Sequence, residues 1–146
     1  MRVLIDTNVL TRSVQPSHSM HAQAVNAVIE LKIRGNDLCV CPQNLVEFWA
    51  VATRPESANG LGMSTSEAEI ELSKIKSLFL LLEDNASIHA AWERIVIKYH
   101  VSGKNSHDAR LVAAMKTHGL TQVLTFDGND FKRYSDITVL SPRATT

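Results

Sequence analysis

The stretch "RVLIDTNVL", residues 2–10, decides how the rest of the chain is read. Val3, Leu4 and Ile5 make a short apolar strand, and a carboxylate, Asp6, follows with no polar spacer. "TNVLTRSV" then starts a helix, with Asp6 and Thr7 supplying cap groups. An acid at the end of a buried strand raises the question of which other acids meet it.

Working outward, "MHAQAVNAVIELKIRG" (residues 20–35) places Ala24, Val28 and Leu31 at helical spacing, with Gly35 as a stop. "LCVC" (38–41) is a second short strand. Pro42 and Asn44 open a helix through "NLVEFWAVATR" (44–54), which Pro55 ends. "PESANGLGMS" (55–64) is a loop, and Ser64 or Ser66 caps a helix over residues 67–79. "LLLED" (80–84) is strand-like. "ASIHAAWERIVIKYH" (86–100) is amphipathic, and Ser106 caps "HDARLVAAMKTHG" (107–119). "QVLTF" (122–126), a turn at "DGND" (127–130) and the strand "ITVL" (137–140) close the pattern. Short strands alternating with helices predict one α/β domain over residues 1–146. Its mostly parallel sheet has four to five short strands, flanked by helices on both faces. Ligands of such sheets bind beyond the carboxyl ends of the strands.

The length of 146 residues suits one core. Fifteen basic residues balance fifteen acidic ones, so overall charge argues neither for nor against nucleic acid. The longest apolar run, "LFLLL" (78–82), is too short to span a bilayer, and no leader pattern is visible. The expectation is a cytoplasmic protein with no membrane partner. Cys39 and Cys41 are read as small buried residues of a reducing compartment, turned to opposite faces of their strand and unbonded.

Asp6 ends the first strand, Asp127 follows "QVLTF", and Glu47 and Asp108 fall in the first turns of two helices that begin near the same edge. Each has an ordinary role available. Asp6 can cap a helix, and Glu47 can close a capping box with Asn44. Asp108 can favour a helix dipole, and Asp127 with Gly128 can make a turn. Taken together, four acids from four segments converge on one edge. Like charges at close range raise one another's pKa unless a cation neutralises them. Oxygen-only donors select hard ions such as Mg2+ or Mn2+. An ion of that kind suits water activation and phosphoryl chemistry, which makes metal-dependent phosphodiester hydrolysis the expected reaction.

"LIDTNVL", "NLVEFWAVATRP", "SHDARLVAAM" and "LTFDGNDF", in that order over nearly the whole chain, resemble the PIN-domain family. More closely, they resemble the VapC-type toxin ribonucleases of type II toxin–antitoxin pairs. The resemblance implies that Asp6, Glu47, Asp108 and Asp127 form the acidic, catalytic and metal-binding site. Asp6 and Asp108 would be the most direct ligands of Mg2+ or Mn2+. Thr7, Asn8 and Thr125 would orient the carboxylates, with Asp130 a further acidic position. It also implies an RNA substrate, a small antitoxin partner and a homodimer. The loop "RPESANGLG" (54–62) resembles a subgroup of such proteins without implying a catalytic role.

Arg110 shares a helical turn with Asp108 and is expected to brace a carboxylate. His107 is expected to be solvated, and Phe48, Trp49 and Trp92 to be core or interface anchors. Arg54, Lys104, Lys132 and Arg133 could line an RNA path. Two alternatives stand beside the nuclease. One is a non-catalytic RNA- or partner-binding module. The other is an aspartate-dependent phosphatase, which needs a second aspartate where this chain has Asn8.

Overall fold

The strand that opens the chain becomes the centre of the sheet. A computed structural model describes residues 1–144, so the last two positions of the expected 1–146 domain lie outside the described residues. The strands are β1 (Arg2–Ile5), β2 (Asp37–Val40), β3 (Leu80–Leu81), β4 (Gln122–Leu124) and β5 (Thr138–Leu140). They line up as β3-β2-β1-β4-β5, and every neighbouring pair is parallel. The helices are α1 (Thr7–Ser13), α2 (His21–Ile33), α3 (Pro42–Thr53), α4 (Thr65–Leu78), α5 (Ser87–Lys98) and α6 (Asn105–Thr117). The chain is therefore α/β with a parallel five-stranded sheet.

Side chains alternate across a strand, and both faces of this sheet are covered. Val3 and Ile5 pack with Val40 and Leu124 in the layer of α1 to α4. Leu4 faces the other way, with Cys39 and Val123, into the layer of α5 and α6. A strand buried on both sides reads as an unbroken apolar run, which is what residues 3–5 are. The expectation that Cys39 and Cys41 face opposite ways is corrected. Residues two apart along a strand share a face, and both cysteines belong to the α5–α6 layer as buried free thiols.

α3 starts at Pro42 as expected, whereas α4 and α6 each start earlier than the sequence expectation. α3 begins at Pro42, where the missing N–H costs nothing, so Glu47 lies in the second turn, not the first. α6 begins at Asn105, and the Ser106 hydroxyl donates to the Gly103 carbonyl instead of capping. α4 begins at Thr65 behind Ser64, whose capping box with Glu67 is complete. Among the described residues no helix is long and apolar enough to cross a membrane.

The strand order places the site. From β1 the chain moves to β2 on one side, and from β4 it moves to β5 on the other. The connections after β1 and β4 thus diverge and open a crevice at their carboxyl ends, the usual ligand position of an open parallel sheet.

Candidate functional site

Asp6 stands in that crevice. Its backbone N–H donates to the Leu124 carbonyl at 3.0 Å, which carries the β1–β4 ladder one step past the strand. The side chain is 8 % exposed. One carboxylate oxygen accepts the Thr7 backbone N–H at 2.8 Å, capping α1. The other accepts the Thr125 hydroxyl at 2.8 Å and, more distantly, the Asn8 amide at 3.4 Å. Burial pushes the Asp6 pKa up to about 6, and the charges of Glu47 and Asp127 add to the rise. The hydrogen bonds from Thr125 and Thr7 oppose it. Asp6 is therefore a helix cap and a cleft carboxylate at once.

Glu47 is free to reach the crevice because another residue closes its helix. Asn44 accepts the Cys41 backbone N–H at 2.9 Å, taking the capping-box role expected of Glu47. The Glu47 carboxylate instead accepts the Thr7 hydroxyl at 2.9 Å. Asn44 also donates to that hydroxyl at 3.2 Å, so one fully buried amide ties the start of α3 to the Thr7–Glu47 contact. Sequence reasoning missed this second job. The available signal was a proline at the first helical position with an amide two residues later, which marks Asn44, not Glu47, as the box residue.

Asp108 lies in the first turn of α6, half-buried. Its pKa is pushed up to about 7, first by burial and then by the charges of Asp130, Asp6, Glu47 and Asp127. No hydrogen bond to its carboxylate forms among the described residues. Asp130, read from sequence as a further acidic position, is the acid that acts most strongly on Asp108. Asp127 is exposed just past β4. It accepts the Asn8 amide at 3.2 Å, and its own N–H donates to the Thr125 hydroxyl at 3.0 Å. Asn8 also donates to Thr125 at 3.1 Å. Thr7, Asn8 and Thr125 thus orient three of the four carboxylates.

Arg110 does not brace any of the four. Its guanidinium pairs with Asp84 at 3.5 Å and donates to Gln43 at 3.3 Å, because its side chain runs toward the loop after β3. His107 is exposed. Phe48 is core, and the Trp92 indole donates to the Ser106 carbonyl at 2.9 Å.

Asp6, Glu47, Asp108, Asp127 and Asp130 line one open cleft of about 440 Å³, together with Arg12, Arg54 and Asn59. Among the described residues no three His, Cys, Asp or Glu side chains are gathered tightly enough to hold an ion as they stand. The five carboxylates share one cleft and one field without closing on a point. The donor set still fits a hard divalent cation. It is all oxygen, and burial and mutual repulsion raise the pKa of two of its members, Asp6 and Asp108, which marks a cost to their charged forms that a cation would relieve.

Three comparisons bear on this geometry. The family model for the PIN domain matches residues 3–137. A sequence search of curated proteins returns no match. Among solved structures, the chain resembles VapBC from Salmonella typhimurium bound to DNA, at 13% identity and a TM-score of 0.73, covering 97% of this chain and 98% of that one. It also resembles FitAcB from Neisseria gonorrhoeae, at 21% identity and 0.68, covering 98% and 99%. A third is VapC20 of Mycobacterium tuberculosis, a sarcin–ricin loop-cleaving toxin, at 16% identity and 0.65, covering 90% and 95%. Identities this low speak to the fold.

Proposed function

The chain belongs to the PIN domain family, and on that premise we propose that it is a metal-dependent endoribonuclease, the toxin of a toxin–antitoxin pair. The observation that carries this reading is the acid cleft at the β1–β4 switch point, where five carboxylates from four segments share one field. Asp6 and Asp108 would be the principal holders of Mg2+ or Mn2+, with Glu47, Asp127 and Asp130 completing the set. When bound, the ion supplies charge neutralisation and Lewis-acid activation of water for phosphodiester hydrolysis. The residues of the chain do the positioning. Thr125 and the Thr7 N–H hold the Asp6 carboxylate, the Thr7 hydroxyl, itself held by Asn44, holds Glu47, and Asn8 spans Asp6 and Asp127. Glu47 stands in the cleft where it can accept a proton from the attacking water.

The proposed partner is a small antitoxin. Several of the structural relatives are complexes of that kind, among them a toxin–antitoxin complex from Klebsiella pneumoniae. A homodimer and a cytoplasmic site of action belong to the same reading. The aspartyl-phosphate alternative has no support in the cleft. The second acid it needs is Asn8, whose amide donates to Asp6, Thr125 and Asp127 and carries no transferable proton.

Purified protein is expected to cut single-stranded RNA with Mg2+ or Mn2+ and to stop with EDTA. Asp6→Asn and Asp108→Asn are expected to reduce cleavage to background while keeping the fold by circular dichroism. Full activity in either variant sinks the proposal.

A further inference from the structure

The cleft also carries positive charge, and that charge is not spent on the acids. Arg12, in the last turn of α1, and Arg54, just past the end of α3, both line it. Among the described residues neither forms a salt bridge. The Arg12 guanidinium donates to Gln15 at 2.9 Å, and its buried Nε has no partner. A second open hollow of about 430 Å³ shares Arg12 and Asn59 with the acid cleft, so one wall runs on from the acids past these residues.

The loop that carries Arg54 and Asn59 is built to be rigid. The Gly60 N–H donates to the Pro55 carbonyl at 2.9 Å, and the Gly62 N–H to the Arg54 carbonyl at 2.8 Å. The N–H groups of Leu61 and Met63 donate to the carbonyls of Val51 and Ala52 at 3.0 and 2.9 Å, which satisfies two of the open carbonyls at the end of α3. Asn59 is left-handed, at φ 63°, and a Cβ on Gly60 would stand 2.0 Å from the Arg54 carbonyl oxygen. A fixed loop that carries one guanidinium into a cleft lined by a second, neither of them in a salt bridge among the described residues, is suited to hold an anion. The planar fork of arginine matches phosphate, and a pre-set loop loses little entropy on binding.

We propose that Arg12 and Arg54 clamp a backbone phosphate of single-stranded RNA next to the bond cut at the acid cluster, with the 54–62 loop holding Arg54 in place. This rests on the nuclease reading for the identity of the polymer. The two residues would set where the strand lies and leave the chemistry to the acids.

The test is binding of a short fluorescein-labelled single-stranded RNA of mixed sequence, followed by anisotropy over a salt series in an Asp108→Asn background so that the RNA survives. Arg12→Gln and Arg54→Gln are each expected to weaken binding and to flatten the slope of log K against log salt, by about 0.7 when both are replaced, the share of one phosphate contact. Arg12→Lys, which keeps the charge and protects the fold, is expected to keep the slope but weaken binding. In the otherwise unaltered enzyme, Arg54→Gln should raise KM more than it lowers kcat. Unchanged slopes in both glutamine variants overturn the clamp, as they would if the arginines served an acidic peptide instead. If RNA cleavage continues at the same time, the nuclease reading survives that loss. Arginine-dependent RNA binding with no Mg2+- or Mn2+-dependent cleavage supports the clamp and removes the nuclease. No RNA binding at all overturns the clamp.

Discussion

At the scale of single residues, the cleft is a balance between burial and hydrogen bonding. Asp6 is nearly out of water, and the Thr125 hydroxyl and Thr7 N–H are the groups that keep its charged form accessible. Thr125→Val removes one of them at nearly constant volume. It is expected to weaken Mn2+ binding about 10–100-fold by calorimetry. The pKa shifts also set a pH dependence. Asp6 and Asp108 both have folded pKa values raised above 3.8, to about 6 and about 7. The folded state therefore holds protons that the unfolded chain would release. The stability linked to these protons is complete below about 3.8 and is lost as pH rises through 6 to 7. Metal-free protein is expected to melt at a lower temperature at pH 8 than at pH 5, and Mn2+ to restore much of the difference at pH 8. A metal-free melting curve that rises between those pH values contradicts the shared field. The four acids Asp6, Glu47, Asp108 and Asp127, which line the cleft, were legible as a set, since each alone has an ordinary structural role. Their braces were legible only in part, since Thr7, Asn8 and Thr125 lie beside the acids in sequence whereas Asn44 meets Thr7 from 37 residues away.

At the scale of elements, ends matter more than middles. α3 was legible as a helix from Pro42 and Pro55, but its first residue decided what Glu47 could do. With Asn44 closing the helix, Glu47 moves to the second turn and turns to Thr7. The loop after α3 was legible as a loop from its glycines and proline. Its rigidity was not, because the bonds from residues 60–63 back onto residues 51–55 depend on how the turn folds over the helix. Gly60→Ala is expected to destabilise the protein by about 1–3 kcal/mol, since the new methyl meets backbone that cannot move aside. Urea unfolding measures it, and a variant as stable as the parent means the loop is looser than its hydrogen bonds imply.

At the scale of the whole molecule, one sheet separates two cores that meet through β1. Leu4 belongs to the α5–α6 core and Ile5 to the α1–α4 core, both fully buried. Leu4→Ala and Ile5→Ala are each expected to cost about 2–5 kcal/mol and to leave a single unfolding transition in urea. Two separated transitions would mean that the layers fold independently of the strand they share.

The sequence by itself determined the class of fold and the identity of the acids. Apolar runs of three or four residues between helical periods specify a buried parallel sheet, and a carboxylate directly after such a run must emerge at its carboxyl edge. The tertiary structure alone decided which groups meet there. Thr7 touches Glu47 across 40 residues, and Asp6 meets Thr125 across 119. It also made Asp130 the main charge acting on Asp108, sent Arg110 to Asp84, and, among the described residues, left Arg12 and Arg54 along the cleft without a salt bridge. Those outcomes depend on strand order and on the directions in which helices leave the sheet, and local spacing encodes neither.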